Sequence, residues 1–139
     1  MKYSRIVTTN NYEWLFKITA KELALMIFMV EECTTELDTA VAIIDVERKK
    51  QFAKHANVDL KMVNKMLRHL VDICYIVQEN MDIYMVNPNL VNHGHQSYIE
   101  RNYERFSKIM YERLSPLIDI EPRYALLDLF TGEISGNIQ

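Results

Sequence analysis

Five polar side chains recur between residues 61 and 69: Lys61, Asn64, Lys65, Arg68 and His69. On a helix, positions 61, 64, 65 and 68 share one face. Asn and Arg can make paired hydrogen bonds to the edges of adenine and guanine, while lysine reaches phosphate as a point charge. Just upstream, Arg48, Lys49, Lys50 and Lys54 add four more cations. Residues 48–69 therefore hold seven basic side chains against Asp59, a net +6, which leaves −9 for the rest of a chain whose total is −3. A basic element in an acidic body is the charge distribution of one surface that meets a polyanion; an ordinary solvated helix face is the plainer alternative.

The elements that must position this row read as helix, three-residue turn, helix over residues 49–70. Ala53 is small enough for a second helix to cross closely, Val58 locks the corner, and Val63, Met66 and Leu67 form the inner side of the second helix. Asn57 tolerates the left-handed conformation a tight corner needs, and Asp59 is placed to cap the second helix. Further upstream, Thr19 and Glu22 have capping-box spacing, followed by Leu23, Met26, Ile27 and Val30 at helical intervals. Residues 40–44 read as a buried strand, with Asp45 capping a helix that begins near Val46. Downstream, residues 75–78 and 83–86 form a hairpin joined by Glu79-Asn80-Met81-Asp82.

Helix, strand, helix, helix, hairpin is the order of a winged helix. The expected fold is mainly α with a small β-hairpin: a winged helix-turn-helix with its core over about residues 15–90, within one domain spanning 1–139. A long helix over 97–114 follows, with an apolar stripe at Ile99, Tyr103, Phe106, Met110 and Leu114. The tail, 115–139, is acidic yet apolar at 124–130, which predicts a short docked helix and not a solvated coil. Near the start, Ile6 and Val7 suggest a short strand. Tyr12, Trp14, Leu15 and Phe16 form an apolar group that either packs under a helix or docks a partner.

Composition excludes several classes. With 49% hydrophobic and 25% charged residues the chain is of ordinary globular make-up, and no apolar run approaches a membrane span. The first residues lack a signal-peptide core, and two cysteines, Cys33 and Cys74, make no disulfide framework, so the cytoplasm is the expected compartment. No GxxxxGK[ST] string is present, and no nucleophile stands in a recognisable context. His93-Gly94-His95 invites comparison with the His-hydrophobic-His strand of rolling-circle nucleases. Its centre is glycine, however, and no third ligand is evident, so neither a metal nor a cofactor is expected, and no enzymatic activity.

The string IYMVNPNL at residues 83–90, directly after the hairpin, resembles the plasmid replication proteins called RepL, found in Firmicutes. The likeness extends over about residues 15–115 and implies a small winged-helix initiator. Cys74 stands where such proteins usually have a glycine. The hairpin tip is acidic where Gly and basic residues are common, and a carboxylate there repels phosphate. The function expected is sequence-specific binding of double-stranded DNA through Arg48, Lys49, Lys50, Lys54, Lys61, Asn64, Lys65, Arg68 and His69, in plasmid or phage replication initiation. Two other readings stand beside it: a dimeric winged-helix transcriptional regulator, paired through 97–114, and a winged helix that binds protein. Expected partners are origin or operator DNA, a second copy through 97–114 and host replication proteins, with no membrane.

Overall fold

The computed structural model describes residues 4–7, 12–34, 39–93 and 96–114. A two-residue strand, β1 (Arg5–Ile6), precedes a 3-10 turn at Glu13–Lys17 that carries Trp14 inward. Trp14 is held at both ends. Its Nε1 donates to the Val7 carbonyl (2.8 Å), its own carbonyl accepts from the Tyr75 hydroxyl (2.8 Å), and the two rings meet edge to face at 5.7 Å. Burial pushes the Tyr75 phenol up to about 12. Tyr12 and Phe16 are outside this packing, 57% and 77% exposed.

Short polar side chains start the helices by satisfying the first free amides. Thr19 Oγ1 accepts from the Glu22 amide (3.1 Å) and Glu22 Oε1 from the Thr19 amide (2.9 Å), so the expected box opens α1 (Ala20–Phe28). The helix runs on through a π-helical turn, Met29–Cys33, after which Thr34 donates to the Val30 carbonyl (3.0 Å). Strand β2 (Val41–Ile43) comes next. It is not buried throughout: Ala40, Ala42 and Ile44 face the core, while Ile43 is 38% exposed, because a strand in this sheet alternates its faces.

Asp45 accepts from the Arg48 amide (2.9 Å) and starts α2 (Val46–Ala56). Asn57 closes it in the left-handed region (φ 57°), and the Val58 amide reaches back to the Ala53 carbonyl (3.0 Å). Asp59 accepts from the Met62 amide (2.7 Å) and starts α3 (Leu60–Asp72). Cys74 (φ 64°) ends α3: its amide bonds the Val71 carbonyl and the Tyr75 amide that of Leu70, each at 3.0 Å. That pair of bonds is the helix-ending motif in which a residue past the helix turns left-handed, which explains why glycine is usual here.

The hairpin is β3 (Ile76–Gln78) and β4 (Ile83–Val86), and β2 pairs with β4 on its other side, giving an antiparallel sheet ordered β2-β4-β3 with Ala42 and Gln78 both opposite Tyr84. Asn87-Pro88-Asn89 then reverses the chain. Asn87 Oδ1 accepts from the Asn89 amide (2.9 Å), and its carbonyl receives the Leu90 (2.9 Å) and Val91 (3.2 Å) amides. After this turn β5 (Val91–Asn92) pairs antiparallel with β1.

The last described element is α4 (Gln96–Leu114). Its buried side chains are Tyr98, Asn102, Phe106 and Met110, four residues apart. Of the expected stripe, Phe106 and Met110 are buried, Ile99 and Tyr103 only partly. The axis is rotated because Asn102, a polar residue, packs inward: its Oδ1 accepts from the Ala40 amide (2.9 Å) and its Nδ2 donates to the Tyr98 carbonyl (2.8 Å). The core thus joins Leu25, Met29, Phe52, Val63, Leu67, Leu70, Met85 and Phe106. The tail after residue 114 lies outside the described residues.

Candidate nucleic-acid interface

The two sides of α3 are sharply unequal. Val63, Met66, Leu67 and Leu70 are buried, and this face fastens the helix to the core. Lys61, Asn64, Lys65 and Arg68 are exposed on the other side, and among the described residues the three cations make no ion pair. Spaced at i, i+3, i+4 and i+7, the four form one row. Arg68 and Asn64 also border a cleft of about 420 Å³ between α3 and the hairpin, where Gln78 and Tyr84 form the opposite wall. Gln78 was not singled out from the sequence. The run Ile76, Val77, Gln78 gives no sign that β3 ends beside the row, since that depends on how the hairpin folds back on α3. Gln78 Nε2 donates to the Met81 carbonyl (3.2 Å) and so braces the tip.

The other candidate residues are placed differently. His69 turns from the row, and its Nδ1 hydrogen bonds to Glu22 Oε2. Glu22 is only 5% exposed and still holds the Thr19 amide through its other oxygen. A buried carboxylate needs such partners, so Glu22 ties the first turn of α1 to the last turns of α3. On α2, Lys50 and Lys54 are exposed and Lys49 is half-buried. Arg48 is half-buried as well, and its Nη1 donates to the Glu32 carbonyl. The guanidinium also lies beside the Cys33 thiol, yet burial outweighs its pull and pushes that thiol up to about 12.

At the hairpin tip, both Glu79 carboxylate oxygens accept from Arg105 Nη2 of α4, at 2.7 Å each. Of the two tip carboxylates that would repel phosphate, Glu79 is therefore answered from within the chain; Asp82 is the other. Met81, at the tip, is 81% exposed. His93 is buried and meets the Tyr98 ring edge to face at 5.2 Å, while Gly94 and His95 lie outside the described residues. No cluster of three His, Cys, Asp or Glu side chains able to hold a metal ion occurs among the described residues. No helix among them is long and apolar enough to cross a membrane.

Comparison with known proteins agrees with the string at the hairpin's exit. A family model of the Firmicute plasmid replication proteins (RepL) matches residues 12–115, from the turn that carries Trp14 through α4. No curated protein and no solved structure matches the chain. The matched span takes in every element from α1 to α4, including the Asn-Pro-Asn turn. The chain belongs to the RepL family of Firmicute plasmid replication proteins.

Proposed function

We propose that this protein binds double-stranded DNA at a replication origin, with α3 lying in the major groove. What carries the reading is the row Lys61, Asn64, Lys65 and Arg68, exposed and outside any ion pair among the described residues, on a helix whose opposite side is buried. Asn64 and Arg68 read base edges; Lys61 and Lys65, with Lys50 and Lys54 of α2, neutralise phosphates. The order of elements, with β2 beside the hairpin in the sheet β2-β4-β3, supports taking the α2–α3 pair and hairpin as a winged helix. In this reading the protein works in the cytoplasm as a binding protein without catalysis of its own, and its other surfaces recruit host replication proteins. Pairing of two copies through α4 gains no support, since Phe106 and Met110 are buried within the chain.

The test is binding to a fragment carrying this gene and its flanks, measured across salt concentrations. With about four phosphates neutralised, affinity falls by about 10²-fold between 50 and 200 mM salt. Footprinting should show a protected origin segment. An absence of any shift at low salt would remove the proposal.

A further inference from the structure

Alongside the outward row of α3 runs a groove of about 640 Å³ between the first turn of α1 and the flank of α3. Its floor is apolar, made by Ala20, Val58, Met62 and Met66, and Met62 is 41% exposed. Methionine side chains adapt to whatever aliphatic or aromatic group enters such a trough. The rim carries charge of one sign. Lys21 and Lys65 stand on it, while the carboxylate in its lining, Glu22, is buried and held by the Thr19 amide and His69. The site therefore fits a segment that is apolar on one side and acidic on the other.

This chain contains such a segment. Residues 124–130 read Tyr-Ala-Leu-Leu-Asp-Leu-Phe, and the stretch after Leu114 holds Asp119, Glu121, Asp128 and Glu133 against Arg123 alone. Leu126, Leu127 and Phe130 have the spacing of one helix face. The reach is sufficient. Leu127 stands 13 positions after Leu114, so the connection spans up to about 43 Å when extended, and a compact chain of this length has a radius of gyration of about 14 Å. A segment tethered in this way is present at an effective concentration in the millimolar range, so even weak affinity fills the groove.

We propose that segment 124–130 of this chain docks in the groove between α1 and α3, with its carboxylates against Lys21 and Lys65, and that it competes there with DNA for Lys65. Lys65 belongs to both surfaces: it lines the groove and stands in the outward row. A docked tail also sets negative charge beside the track that phosphates would follow, and it must leave before α3 can settle in the duplex. The competition rests on the DNA-binding reading of α3; the docking does not.

The full-length protein, treated with a carbodiimide that joins amines directly to carboxylates, should yield a link within one chain from Lys21 or Lys65 to Asp128 or Glu133. The full-length Leu127→Gln/Phe130→Gln variant keeps every charge and should lose that link with its helical circular dichroism unchanged. If the link is absent, forms only between two chains or persists in the variant, docking of the chain's own tail is overturned. On DNA, the variant should bind a fragment carrying this gene about tenfold more tightly, if the tail closes the groove about nine-tenths of the time. Equal affinities, with the link intact in the parent, overturn the competition alone. No binding by either protein at low salt, with the link intact, overturns the DNA-binding reading and leaves the docking standing.

Discussion

Under the proposed reading the outward row of α3 and the tip of the hairpin are the two regions that would meet DNA, and they are built on opposite terms. Lys61, Lys65 and Arg68 stand in solvent outside any ion pair among the described residues, so their charge is available to a polyanion. Glu79 has the wrong sign for that partner, and its carboxylate is engaged by Arg105. The contrast separates two tasks. In the proposed reading attraction comes from the helix, whereas at the hairpin one of the two tip carboxylates, Glu79, is paired by Arg105 of α4 and Asp82 is the other. Gln78 and Tyr84 in the cleft beside Arg68 show which part of the hairpin lies close enough to work with α3.

If α4 is the support of the hairpin, removing its anchor should damage the fold before it damages recognition. Phe106→Ala empties a fully buried aromatic site and is expected to cost about 3–5 kcal/mol in urea unfolding. The parent's midpoint should not depend on protein concentration; a strong dependence would place the apolar side of α4 between two copies and undo the contrast. The next effect in size belongs to α3. Arg68→Ala should weaken binding to the origin fragment by about 1–3 kcal/mol and flatten its preference over scrambled DNA, with unfolding unchanged. Lys61→Ala should weaken all duplexes alike and lower the salt slope by about 1. If Arg68→Ala behaves like Lys61→Ala, the row contacts phosphates only.

Where a feature depends on residues three or four apart, the sequence exposes it. The Thr19–Glu22 box, the caps at Asp45 and Asp59 and the left-handed Asn57 are all local, and each is present as the spacing predicts. The Asn87-Pro88-Asn89 turn likewise bonds mainly to itself and its neighbours, whereas the family string was recognised by resemblance. What stayed hidden depends on distant partners. Glu22 and His69 are 47 residues apart, and Glu79 and Arg105 are 26 apart, so no spacing could show that one candidate contact turns inward and that Glu79 at the tip is paired. The buried side of α4 was misjudged by one position because Asn102 looks like a surface residue until the Ala40 amide is found opposite it. Cys74 lay between these cases. Its departure from glycine was visible, but only φ of 64° shows what it does to the chain. A side chain with a Cβ is strained in that region, so Cys74→Gly should raise stability by about 1 kcal/mol, less the extra freedom glycine gains when unfolded. Recognition should be untouched, which a parallel binding titration checks.

The smallest expected effect bears most directly on the contrast between helix and hairpin. The side chains of Arg105 and Glu79 are 52% and 32% exposed, so water and salt screen the pair, and breaking it should change stability by less than about 1 kcal/mol. Its consequence for DNA is different in kind. In Arg105→Ala the Glu79 carboxylate is left unpaired at the hairpin tip, where it repels phosphate, and affinity at low salt should drop about threefold. Glu79→Gln in the same chain removes that charge and should restore binding, while Glu79→Gln alone leaves Arg105 unpaired beside the tip and should strengthen binding modestly. Rescue by the double variant means that Arg105 acts by cancelling charge at a tip that lies near the duplex. If Arg105→Ala weakens binding and Glu79→Gln fails to rescue it, Arg105 touches DNA itself, and α4 belongs to the interface and not to its support.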